Sequence, residues 1–217
     1  MSLRFSGFLS GQSELLSSVI LVVLVLIIGL SGFFLANSWV SQRYSENAFT
    51  YFADLCLSEF QASLISIENR SSTRIVYVGV LRVGILSDSY SVGVSIYNSS
   101  AVTPTWWLLR QVDPSRVGYN LSLSNRFLGN LSFNPLQISS SVSPQYLYAK
   151  YGGSWVSLRD MGLQNSINIY SLGLIGPSHL LVLNISISDP NTRYLYIVMW
   201  TRFNDRYVAT PLLVPLT

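Results

Sequence analysis

The chain has 217 residues, 49% hydrophobic and only 11% charged, with a formal net charge of +3, and its mean hydropathy is positive. That length holds one compact domain of roughly 100–150 residues with a long segment left over, and so little charge implies that something other than water covers part of the surface. Lys150 is the only lysine and the arginines are scattered from Arg4 to Arg206, so no basic patch forms and nucleic acid is not an expected partner. Cys56 and His179 are the only residues of their kinds, which excludes an intrachain disulfide and a His/Cys metal cluster within one chain. No metal or other cofactor is expected.

From Leu15 to Ala36 the sequence runs for 22 residues without a charge or a proline. As a helix it is about 33 Å long, enough to cross a hydrocarbon core of about 30 Å. A secretory signal has a shorter apolar region of roughly 7–15 residues with positive charge directly before it, whereas here only Arg4 precedes the run, at a distance. Beyond it, Val40, Tyr44, Ala48, Phe52, Cys56, Phe60 and Leu64 recur at every fourth position, with Gln42, Arg43, Ser45, Glu46, Asp54, Ser58 and Glu59 between them. That is the pattern of an amphipathic helix. The two stretches together predict one helix from about Ser13 to about Ile67, roughly 80 Å long. Its first half needs a bilayer or the centre of a helix bundle. Gly29, Gly32 and Ala36 are small residues where another helix can approach closely, and Cys56 falls in the apolar stripe as a small buried hydrophobe.

The segment Ser10-Gly11-Gln12-Ser13-Glu14-Leu15-Leu16-Ser17-Ser18-Val19-Ile20 resembles the processing site of archaeal type IV pilins. In that family a short polar leader ends in glycine or alanine. An apolar residue or glutamine, a serine, a glutamate or proline and the hydrophobic helix follow, and a membrane peptidase cuts after the glycine. Ser10 stands where the family usually carries lysine or arginine. The resemblance implies a leader over residues 1–11 cut between Gly11 and Gln12, a long helix over 12–70 forming the membrane or filament core, and a β-rich head over 71–217. It also implies the function: a structural, non-enzymatic subunit of an extracellular filament used for adhesion. Its partners would be further copies of itself in a helical homopolymer, the membrane before assembly, a prepilin peptidase, an assembly ATPase and a platform protein.

Glu14 lies at the mouth of the apolar helix, where a carboxylate is costly to bury without a partner. A freshly cut α-amine at Gln12, on this subunit or the next, would supply the cation and fix the axial register of neighbouring helices. Attraction to the helix dipole at the membrane surface accounts for Glu14 equally well.

After Arg70-Ser71-Ser72 the apolar period changes to two. Arg74 to Ile85 and Ser89 to Tyr97 read as strands. Further strands are expected over 106–111, 119–123, 146–151, 166–172, 180–188, 193–202 and 206–213. Val112-Asp113-Pro114-Ser115, Lys150-Tyr151-Gly152-Gly153, Ser188-Asp189-Pro190-Asn191 and Phe203-Asn204-Asp205 supply turns between them. The fold class is therefore α+β: a long N-terminal helix followed by an antiparallel β-sandwich-like head. The stretch from Ser124 to Pro144, rich in Ser, Asn and Pro, is expected to be a surface excursion. Asn-x-Ser sequons at Asn69, Asn98, Asn120, Asn130 and Asn184, all beyond the apolar run, are candidate N-glycosylation sites.

No catalytic constellation emerges. Ser178 and His179 are sequence neighbours at a strand start, so their side chains point to opposite faces. Asp88, Asp113, Asp160, Asp189 and Asp205 sit mostly in turn-like contexts, where aspartate bonds its own backbone. Trp107 and Trp200 are read as core fillers. An anchored β-sandwich that never polymerises, such as a minor pilin or a stator-like envelope component, would carry the same helix and head. An anchored hydrolase or sugar-binding ectodomain would need a site that the sequence does not display.

Overall fold

The computed structural model describes residues 8–70, 73–102, 122–127, 130–135, 138–187 and 189–216. It divides into two compact units, Met1–Phe49 and Thr50–Thr217. One helix, α1, runs from Phe8 to Cys56 over 49 residues, which at 1.5 Å per residue is about 74 Å. No proline interrupts it, and the Leu, Val and Ile side chains that make up most of its apolar part offer the backbone no competing bond.

The helix ends eleven residues short of the predicted Ile67, and residues 60–70 of the segment assigned to the helix are a strand. At its C-terminus the bonds tighten: Ser58 N–H donates to Leu55 O and Glu59 N–H to Cys56 O, each at 3.2 Å, and these i→i+3 bonds close the last turn. Strand β1 (Phe60–Arg70) follows at once. The misreading has a physical cause. Residues spaced by four also lie on one face of a strand, so Phe60 and Leu64 satisfy both periods. Ala62 breaks the tie, because it packs with Leu64 on the inter-sheet core, as alternate strand residues do.

The other strands are β2 (Thr73–Arg82), β3 (Tyr90–Ser99), β4 (Ser122–Phe127), β5 (Asn130–Pro135), β6 (Ile138–Val142), β7 (Leu147–Tyr151), β8 (Ser154–Ser157), β9 (Ile167–Ile175), β10 (Leu180–Ile187), β11 (Tyr194–Phe203) and β12 (Arg206–Pro215). They form a five-stranded sheet, β1-β2-β10-β4-β5, and a seven-stranded sheet, β6-β9-β3-β11-β12-β7-β8. The second sheet is mixed rather than purely antiparallel, since β7 lies parallel to β12 with Leu147 opposite Tyr207. Strands β5 and β6 and most of β4 occupy the stretch expected to be a surface excursion. The expected strand over 106–111, the turn at 112–115, Trp107 and Asn120 lie outside the described residues.

Between the sheets Val76, Val78 and Val80 of β2 and Leu181, Leu183 and Ile185 of β10 meet Val94, Ile96, Leu195, Ile197 and Met199. The alternate residues of β11, Tyr196, Val198 and Trp200, join Tyr97, Leu147, Leu158 and Ile169 in a second core. Strand β11 is thus covered on both faces because the larger sheet curls back over itself, which an open sandwich would not do. Trp200 is fully buried, with its indole N–H donating to Ser95 Oγ at 3.0 Å, so the core-filling reading of this residue holds. Gly93 is required where β3 meets β9: a Cβ there would stand 2.2 Å from Ile169 Cγ2.

Candidate functional site

Two features carry functional content, the surface of α1 and the structure at its C-terminal root. From Leu16 to Ala48 every residue of α1 is exposed; Leu35 is 73% exposed and Ile28 69%. The apolar part meets the length and composition of a membrane-spanning or secretion-directing helix. A long apolar N-terminal helix followed by a β-sheet domain is a pilin-like layout.

The root lies in the second unit. Phe52, Ala53 and Cys56, one helical turn apart, are all buried. The Phe52 ring centroid lies 5.1 Å from that of Tyr90 and 4.6 Å from that of Phe203, and Thr210 Oγ1 donates to Cys56 O at 2.8 Å. Cys56 is fully buried, as expected of a packing residue.

Just past the helix, Glu59 and Arg82 are each 1% exposed and joined by a 2.6 Å bond from Arg82 Nε to Glu59 Oε1. The guanidinium also donates to the carbonyls of Ile175, Leu86 and Asp88. The second carboxylate oxygen of Glu59 accepts from Leu86 N–H at 3.1 Å, and the Glu59 carbonyl accepts from Val83 N–H at 2.7 Å. Burying this pair is tolerable because nearly all of its donors and acceptors find partners. Arg82 Cζ stands 5.4 Å from the Tyr90 ring. Burial, and next the Asp88 carboxylate, raise the Tyr90 phenol above its ordinary pKa. On the outside, Asp54 Oδ1 accepts from Lys150 Nζ at 2.8 Å and from Trp155 Nε1 at 3.0 Å. Both partners of that ion pair are well exposed, so it adds little stability.

The sequence did not reveal this buried pair. Glu59 reads as part of a polar helix face, and the one available signal was Arg82, a lone charge between Leu81 and Val83 in an apolar strand.

The other expected site residues are dispersed. Gly11, Gln12 and Glu14 lie in the first turns of α1, and their side chains are outside the described residues. At Gly29 and Gly32 nothing stands within 4 Å of where a Cβ would be, and Ala36 is exposed. Asn69 is exposed at the end of β1, while Asn98 is half-buried and its amide donates to Thr192 Oγ1 at 3.1 Å. Asn184 lies mid-strand in β10, opposite Tyr77 and Ser122, and Asn130 opens β5.

His179 Nδ1 lies 2.9 Å from Gly176 O, and its carbonyl accepts from Arg82 N–H at 2.9 Å, which makes it a brace for the end of β2. Asp189 bonds its own backbone as expected, accepting from Asn191 N–H at 2.9 Å, whereas the Asp160 carboxylate accepts from the Ser157 hydroxyl at 2.7 Å.

No family model matches the chain, and no curated protein matches it. Among solved structures, an exo-β-N-acetylglucosaminidase from Vibrio harveyi in complex with N-acetylglucosamine aligns with 72% of this chain at 8% identity and a TM-score of 0.32. The chain spans 18% of that enzyme's length. The N-terminal domain of PorA aligns with 70% of this chain and 84% of its own length, at 7% identity and a TM-score of 0.28. Likenesses this distant carry no functional argument.

Proposed function

We propose that the chain is a structural, non-catalytic subunit of an extracellular type IV pilus-like filament serving attachment, held in the membrane by α1 before assembly. The observation that carries this reading is the uninterrupted helix Phe8–Cys56, whose apolar part is exposed along its length and which follows a leader-like Ser10-Gly11-Gln12-Ser13-Glu14. Such a helix cannot remain in water, and a bundle of identical helices at a filament axis would replace its lipid contacts with protein contacts at small hydrophobic cost. The prepilin peptidase, assembly ATPase and platform protein belong to this reading as the machinery that cuts and moves such a subunit.

In the assembled state Glu14 would pair with the α-amine of Gln12 on a neighbouring copy. Glu14→Ala then leaves the protein in the membrane at normal abundance and removes it from filaments sheared off the cell surface. Filaments that still contain Glu14→Ala at the parental level would refute that pairing, and a parental chain found only in membranes would refute polymerisation itself.

A further inference from the structure

The end of the apolar run on α1 carries a chemistry that specifies a partner. We propose that Trp39 and Arg43 seat α1 at a membrane surface, with the Trp39 indole at the headgroup level and the Arg43 guanidinium on a lipid phosphate. This deepens the membrane-inserted state of the function proposed above and does not depend on polymerisation.

The argument is one of distance along a helix. The apolar run ends at Ala36, before Asn37 and Ser38, and at 1.5 Å per residue Trp39 follows about 4.5 Å after Ala36. The headgroup zone occupies the outer ~5–7 Å on each side of the hydrocarbon. Trp39 therefore falls at the depth where amphipathic rings concentrate. Its side chain is 61% exposed, and that of Tyr44, just beyond, is 75% exposed.

Arg43 begins one helical turn past Trp39, yet its Cζ lies 5.5 Å from the centroid of the Trp39 ring. The guanidinium thus points back toward the helix N-terminus, as long helical side chains do, and returns to the level of the indole. At that distance the cation lies over the indole face, and the planar fork of guanidinium N–H donors suits the oxygens of a phosphate. No other cation occurs between Arg4 and Arg43. The nearest carboxylate, Glu46, accepts from Gln42 Nε2 at 3.3 Å. A positive charge backed by an aromatic plane at the edge of a 22-residue apolar run fits an anionic headgroup better than a second protein helix, which would need a carboxylate there.

The test uses the full chain reconstituted, without phosphate buffer, in vesicles of phosphatidylglycerol and phosphatidylcholine. Tryptophan fluorescence is quenched with lipids brominated either near the headgroup or near the chain ends, and Trp39→Phe identifies the Trp39 component. Trp155 and Trp200 in the β domain serve as internal references. Dipolar dephasing between guanidino carbon-13 and lipid phosphorus-31 is then compared for the parental chain and Arg43→Gln.

The proposal expects the Trp39 component to be quenched by the shallow bromines and spared by the deep ones, together with loss of dephasing in Arg43→Gln. Quenching by chain-end bromines, absence of quenching by either lipid, or dephasing unchanged in Arg43→Gln would each overturn it. A chain that meets the expectation yet never enters filaments would leave this seat intact and refute only the pilus reading.

Discussion

Arg82 is 1% exposed and directs its donors to Glu59 and three backbone carbonyls, which ties the turn after α1 to β2, β9 and the segment leading into β3. Removing one partner of such a pair leaves a buried charge uncompensated, at a cost of about 3–5 kcal/mol. Glu59→Ala is therefore expected to lower the thermal midpoint of the β domain by roughly 10 °C, given ~2–4 °C per kcal/mol for a domain of this size. The double variant Glu59→Met/Arg82→Met should recover most of that loss, because an apolar pair of similar volume carries no unpaired charge. Circular dichroism melts of both variants check this, and a single variant that melts with the parent would contradict the structural role. At this scale the sequence was partly legible. Trp200 and Cys56 were read as core residues from type and spacing alone, and Asp189 as a turn residue. The Glu59–Arg82 pair was not, because a pairing across 23 residues depends on where a helix stops.

That stopping point governs the elements. Helix and strand share the residues at every fourth position, so Phe60 and Leu64 could not mark the change from α1 to β1, and the i→i+3 bonds at Ser58 and Glu59 leave no signature in composition. Strands with clean alternation were legible: β2, β3, β10, β11 and β12 all lie where the period of two placed them. The short strands β5, β6 and β8 were not, since Ser- and Asn-rich sequence resembles a loop until a neighbouring strand supplies its hydrogen bonds. Close packing of β3 on β9 gives a direct check of the register. In Gly93→Ala the added methyl would collide with Ile169 Cγ2, 2.2 Å away, and overpacking of this kind costs about 1–3 kcal/mol. The expected outcome is a clear drop in the urea midpoint without a change in slope. A midpoint equal to the parent's would mean that the two strands do not meet there.

For the whole molecule, the layout of a long apolar helix followed by a β-sheet domain was legible because it rests on the coarsest signals, an apolar run longer than a bilayer's hydrocarbon core is thick and a switch of period from four to two. The two-core curl of the larger sheet was not, since alternation alone cannot say whether one face or both are covered. The functional reading adds that the chain is cut, withdrawn from lipid and packed with copies of itself. Mass spectrometry of the intact protein in sheared surface filaments tests this most directly. The account predicts an amino terminus at Gln12, with any surplus mass confined to glycans on the sequons. A chain that keeps Met1 and is found only in the membrane fraction would contradict it.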